Sequence, residues 1–152
     1  LPKTGLKIDI GPALRELVKV RKKQREGAET GVGRSMIQLL ADSILQAPTV
    51  PLDEGTLRGS GSIFVQNKKV DHNVDVGKKT ENRVDSHNIS IKSTEIIGVV
   101  GFNTDYAAKL HESVDRMNFK EPSSGPKFLE SKMASRKMTY KRIIVNAINE
   151  KS

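Results

Sequence analysis

The sequence predicts an α+β domain: a small antiparallel sheet packed against two or three amphipathic helices, with an N-terminal arm and a long polar loop. Three observations lead to it. Apolar residues recur at helical spacing near the front of the chain and again at its end. Short β-branched runs lie between those two regions. The length of 152 residues suits one core rather than two, so residues 1–152 are read as a single domain.

The elements follow in order. Leu6 to Ile10 alternates apolar and polar, as a short strand or extended arm does; residues 1–10 are taken as the arm. Gly11-Pro12 opens a helix, because a proline in the first turn gives up only an amide that would be unpaired anyway. Leu14, Leu17 and Val18 share one face of it, and the basic cluster Arg21, Lys22, Lys23 and Arg25 follows. Gly27, Gly31 and Gly33 come next. Each costs a helix about 1 kcal/mol relative to alanine, so a break is expected there, with the helix resuming near Arg34. Met36, Leu39, Leu40, Ile44 and Ala47 then form a one-sided apolar stripe, stopped at Pro48. Gly55 to Gly61 reads as a turn, and Ile63-Phe64-Val65 as the start of β-structure.

Residues 67–87 are polar with scattered valines and are expected to form a long loop, or an extended hairpin, that leaves the core. Strand signals return at Ile89-Ser90-Ile91 and from Ile96 to Phe102, with a hairpin turn at Lys92 to Glu95. A short helix is expected from Asp105 to Asp115. Pro122 to Pro126 breaks the chain, and a final helix is expected over 127–149, its stripe being Leu129, Met133, Tyr140, Ile144 and Ile148.

The composition narrows the function classes. Lys and Arg number 26 against 18 Asp and Glu, for a net charge of +8. The excess is uneven: residues 119–152 carry eight basic and three acidic side chains. Apolar residues are 36% and aromatics 4%, which implies a small aliphatic core. With no cysteine, a disulfide scaffold and cysteine-ligated metals are excluded. No run is long and apolar enough for a membrane span, and no signal peptide is visible. The basic excess alone leaves three partners open: nucleic-acid phosphate, an acidic protein surface, or solvent.

Motifs for catalysis and cofactors fail one by one. Gly31-Val32-Gly33-Arg34-Ser35 lacks the lysine and the preceding strand of a phosphate loop. His72, His87 and His111 have no paired metal-ligand spacing. His111-Glu112 lacks the positioned partner and pocket that acid–base chemistry needs. Asn88-Ile89-Ser90 has a glycosylation pattern without a secretion signal, and Leu1 to Gly5 spells a sortase signal at the wrong end. No Ser/His/Asp or Cys/His set can be assembled. The sequence therefore predicts neither an enzyme, a cofactor, a metal nor a small-molecule substrate.

Three short blocks do resemble a known family. Pro51-Leu52-Asp53-Glu54-Gly55-Thr56-Leu57-Arg58-Gly59-Ser60 is similar to the P-x-D-T-G-x-L-R-x-S signature of tailed-phage neck proteins, also called head–tail joining, tail-completion or minor capsid proteins. Val100 to Glu112 is similar to the family's V-G-x-N-x-x-Y-A-x-x-V-H-E segment, here with Tyr106, Ala107, His111 and Glu112. Gly125-Pro126-Lys127-Phe128-Leu129-Glu130 resembles the start of the family's last helix. The blocks come in the family's order, over roughly 6–66 and 89–150. Glu54 stands where the family often has Thr, and Val114 where many members have Gly.

The resemblance implies a structural virion protein. It would form a ring of six or twelve copies at the head–tail junction, assembled in the host bacterial cytoplasm. Its neighbours would be the connector or head-closure protein and the tail-terminator, sheath or tube proteins, with DNA passing through the lumen non-specifically. Asp53 would cap the turn, Gly55 would permit its tight path, Leu57 would plug into the core, and Arg58 would stay free for a carboxylate. Tyr106 and Ala107 would start a helix on the sheet, and Phe128 and Leu129 would anchor the last helix. The arm and the 67–87 loop are candidates for contacts between subunits or rings. Arg21, Lys22, Lys23, Arg25, Lys132, Arg136, Lys137, Lys141 and Arg142 are the candidate basic surface, facing lumen DNA or an acidic neighbour. The competing reading is a small basic nucleic-acid-binding protein, although four Phe and two Tyr supply few stacking platforms.

Overall fold

The structure is a computed structural model that describes residues 9, 11–51, 56–74, 88–102, 125 and 127–152. Helix α1 runs from Gly11 to Leu45, α2 from Thr56 to Gly59, and strands β1, β2 and β3 cover Ser62–Val65, Lys68–Lys69 and Gly98–Gly101. Helices α3 (Glu130–Ser135) and α4 (Lys137–Lys151) complete the order. A three-stranded antiparallel sheet of order β2-β1-β3 packs against the long helix α1, and α4 packs along another face of α1. The α+β expectation holds.

The expected break at Gly27–Gly33 does not occur: α1 is one helix of 35 residues. Gly27 and Gly31 lie one turn apart on the face that meets α4. A Cβ at Gly27 would stand 2.8 Å from the Ile148 Cα, and one at Gly31 2.7 Å from the Ile144 Cα. The glycines are there for backbone contact between helices, and the packing they allow outweighs their low helix propensity. The helices run antiparallel, since Gly27 meets Ile148, Gly31 meets Ile144, and the Ser35 hydroxyl donates to the Tyr140 carbonyl at 2.9 Å. At the start of α1, the Asp9 carboxylate accepts from the Gly11 amide at 2.9 Å, as a cap does.

Strand β1 is buried along its whole length, as its β-branched and aromatic content foretells. Its register pairs Ser62 with Gly101 and Val65 with Gly98 on one side, and Val65 with Lys68 on the other. Gln66 and Asn67 have φ of 52° and 63°, the left-handed pair that a two-residue hairpin requires. The chain thus folds back against β1, where residues from 67 on were expected to leave the core as a loop or an extended hairpin. Val70 and Val74 pack against the core, and residues 75–87 lie outside the described residues.

Ile89 to Ile91 is not a strand. The Asn67 side chain takes up the backbone of Ile89, donating to its carbonyl at 2.8 Å and accepting from its amide at 3.0 Å. Gln66 does the same one step away, accepting from the Ile97 amide at 2.9 Å and donating to the Glu95 carbonyl at 3.2 Å. Two amide side chains therefore replace a ladder. The turn at Lys92 to Glu95 does form, closed by the Glu95 amide on the Lys92 carbonyl at 3.0 Å, but it leads from irregular chain into β3.

The core is small and aliphatic apart from phenylalanine. Leu40, Ile44, Val50, Leu57, Ile63 and Phe128 form its buried centre, with Met36, Ile37, Val100, Phe102 and Leu129 packed around them. Phe102 meets Phe128 edge to face at 5.7 Å. The expected helix over 127–149 is instead α3 and α4, joined at Arg136, whose φ of −115° and ψ of 17° leave the helical region. Lys127, with φ of 58°, lies outside the helix. Met133, assigned to the buried stripe, is exposed, because the joint at Arg136 shifts the face that α3 turns inward; Lys132 takes the buried place. The expected arm (save Asp9) and the 105–115 helix lie outside the described residues.

Candidate assembly surface

Two of the three sequence blocks meet in the core. Leu57, on α2, and Phe128, just before α3, are both buried in one cluster, with Leu129 packed against it. The Gly55–Gly61 turn contains the helical turn α2, and its carbonyls are taken locally. The Ser60 hydroxyl donates to Leu57 O at 2.7 Å and the Gly61 amide to Arg58 O at 3.1 Å. The Arg58 Nε donates to the Val50 carbonyl at 2.8 Å, so this guanidinium ties α2 to the strand-like segment after α1 and is not held free. Val100 and Phe102 bring the start of the remaining block to the same core. Asp53, Gly55, Tyr106, Ala107, His111 and Glu112 lie outside the described residues.

Beside that core sits a polar cluster that the basic-surface expectation missed. Asp42, on α1, is buried. Its carboxylate accepts from the Tyr140 hydroxyl at 2.8 Å and from Gln38 and Gln46 at 2.9 and 3.3 Å, and pairs with the Arg136 Nε at 2.7 Å. Lys132 is buried as well. Its ammonium donates to Pro48 O at 2.6 Å, Phe128 O at 3.1 Å and the Ser131 hydroxyl at 3.2 Å. Burial pulls the Lys132 amine below its usual 10.5, against the pull of the Asp42 charge. Burial, then the hydrogen bond to Asp42, pushes the Tyr140 hydroxyl well above its usual 10.

Lys132 and Arg136 therefore leave the basic surface. Both point inward because the carbonyls and the carboxylate beside the end of α1 need donors. Asp42 stands two residues from both Leu40 and Ile44, on the other side of the helix from their stripe, so periodicity did not mark this cluster.

The exposed basic residues fall into two separate places. Lys137, Lys141 and Arg142 are exposed on α4. Arg21, Lys22 and Lys23 are exposed on the first half of α1, and Arg25 reaches across to Ser93 O at 3.0 Å and Glu95 O at 3.3 Å while pairing with Glu29. Arg136, next to Lys137, meets Asp42, which lies 17 residues from Arg25, or about 25 Å along the helix. The expected basic face is thus two clusters at opposite ends of the α1–α4 pair.

A groove of about 390 Å³ lies between α1 and the hairpin, lined by apolar Gly33, Ile37, Val65 and Val70 together with Glu29, Thr30, Arg34 and Lys68. Among the described residues no three His, Cys, Asp or Glu side chains gather where a metal could sit, and no helix is long and apolar enough to cross a membrane. No protein-family model matches the chain, and no curated protein and no solved structure matches it.

Proposed function

We propose that the protein is a structural component of a tailed-phage neck: a ring-forming subunit at the head–tail junction that joins connector to tail and leaves a passage for DNA. The observation that carries this reading is the ordered set of three sequence blocks, supported by the convergence of Leu57 and Phe128 from two of them in one core. A closed ring uses one surface of each subunit against a different surface of the next, and a long helix that leaves the body gives such a subunit something to reach with. The work is mechanical, with no catalytic step.

Native mass and negative-stain images of the purified chain, alone and with candidate neck partners, test the proposal. Closed rings of six or twelve copies are expected. A monomer that gives a tight, sequence-selective gel shift on short duplex DNA would replace this reading with the nucleic-acid-binding one. The inward turn of Lys132 and Arg136 weakens that alternative, because it removes two of the five basic residues assigned to the last helix.

A further inference from the structure

Among the described residues, the first half of α1 leaves the fold with Arg25 as its one hydrogen-bonding tie to another element. Pro12 to Glu26 are all exposed, whereas buried residues begin at Gly27. Helix α4 ends at Lys151, three residues past the Ile148 that lies against Gly27. Arg25 still reaches the Ser93–Glu95 turn, so the thirteen residues Pro12–Gln24 project, about 20 Å at 1.5 Å each.

The face that α4 covers passes through Ser35, Gly31 and Gly27. The same spacing of three and four carries it on through Gln24, Val20, Leu17 and Ala13. There it is open: Val20 is 47% and Leu17 56% exposed. The neighbouring face is covered further along, where Gly98 of β3 lies against Val32 and Met36. Beyond Arg25, which reaches the Ser93–Glu95 turn, it too runs on uncovered, past Arg21 and through Val18 at 66% and Leu14 at 51%. Charge fills the other side with Arg15, Lys19, Lys22 and Lys23, and residues 12–26 hold six basic and two acidic side chains. Of the acids, Glu16 pairs with Lys19 at 3.2 Å.

We infer that the projecting half of α1 is a docking helix for an acidic amphipathic helix of a partner protein. The partner helix lies over Leu17 and Val20 in line with α4, and its flanking carboxylates face the lysines and arginines. Continuity of the covered face into the open one argues for a helix as the occupant, and the charge argues that it is acidic. A second copy of this helix brings the same six basic residues against its own. Duplex DNA meets the charges and leaves four aliphatic side chains in water. A lipid surface calls for aromatic residues on the apolar side of such a helix, and residues 12–26 contain none. The inference rests on the assembly reading only for where in a particle the partner belongs.

The test uses the whole chain and a synthetic helical peptide with leucines on one seam and glutamates on both flanks, followed by fluorescence anisotropy at low and moderate salt. Binding that weakens with salt is expected. The double variant Leu17→Glu with Val20→Glu should bind about 30-fold more weakly, while Lys137→Glu with Lys141→Glu on α4 should stay within about threefold. Both variants should melt as the parent does, since all four side chains are exposed. Equal binding of a lysine-flanked peptide, or no loss in the Leu17/Val20 variant, overturns the inference. So does a dimer in sedimentation, or binding of duplex DNA or phosphatidylserine vesicles tighter than that of the peptide, when any of these is abolished by the same pair. A monomeric native mass with intact peptide binding would remove the ring and leave the docking helix standing.

Discussion

Gly31 and Ile144 touch backbone to backbone: a Cβ on Gly31 would lie 2.7 Å from the Ile144 Cα and 3.1 Å from the Ile144 carbonyl oxygen. No side-chain rotation relieves that contact, so the spacing of α1 and α4 depends on the missing atom.

Alanine at Gly27 or Gly31 is therefore expected to destabilise by about 1–3 kcal/mol through overpacking, more than the roughly 1 kcal/mol that helix propensity returns. Gly33 is the internal control. A Cβ there meets only the Val65 Cγ2, at 3.7 Å, an ordinary contact. Gly33→Ala should stabilise by up to about 1 kcal/mol. Urea melts of the three variants check the contrast in sign.

Asp42 is the hub of the polar cluster. Asp42→Asn should cost about 3 kcal/mol, because it leaves the Arg136 guanidinium facing a neutral group in a partly buried site. Tyr140→Phe should cost about 2 kcal/mol, the scale of a hydrogen bond to a charged acceptor. The double variant should fall short of the sum, since both single changes act on the same hydrogen bond, the asparagine weakening its acceptor and the phenylalanine removing its donor. A double-mutant cycle measured by equilibrium unfolding reads the difference.

Alkaline pH should unfold the protein through Tyr140. Its hydroxyl stays protonated in the folded state above the pH of 10 at which an unfolded tyrosine ionises. Below pH 10 both states hold the proton and the stabilisation is complete. Above it the unfolded chain releases the proton first, and stability falls as pH rises. Tyr140→Phe should flatten that decline. Unfolding free energy measured across pH 8–11 in parent and variant, with phenolate absorbance followed in parallel, checks both parts.

Charge reversal separates the inward from the outward basic residues. Lys132→Glu points a carboxylate at the Pro48 and Phe128 carbonyls and should cost about 3–5 kcal/mol, as an uncompensated buried charge does. Lys137→Glu and Lys141→Glu, both exposed, should stay within about 0.5 kcal/mol. Thermal melts decide it. The second pair, with Arg142, is then the proper probe of whether α4 meets DNA or protein.

Much of the architecture was legible because it follows periodicity. The stripe at Leu39, Leu40 and Ile44 and the β-branched run at β1 read directly, while Leu57 and Phe128 as core anchors came with the sequence blocks rather than with any period. Gly27 and Gly31 misled, because propensity describes a helix in water and these positions face another helix. Ile89 to Ile91 misled for the reverse reason: β-propensity is local, whereas the partner that takes up Ile89 is an asparagine side chain 22 residues away. In the candidate surface, Lys132 and Arg136 look in sequence like their solvent-facing neighbours. Only the carbonyls at Pro48 and Phe128 and the carboxylate of Asp42 distinguish them, and those are tertiary facts.

The overhang of α1 also makes the helix a lever. It is clamped over the stretch where α4 lies on Gly27 and Gly31 and where Arg25 grips the Ser93–Glu95 turn, and beyond that its side chains are exposed. A tilt of about 10° at the clamp would swing the tip of an arm of about 20 Å by about 3.5 Å, close to the width of a side chain. Loosening a single helix–helix contact deep in the fold would thus be felt chiefly at the far end, where a neighbour would be held.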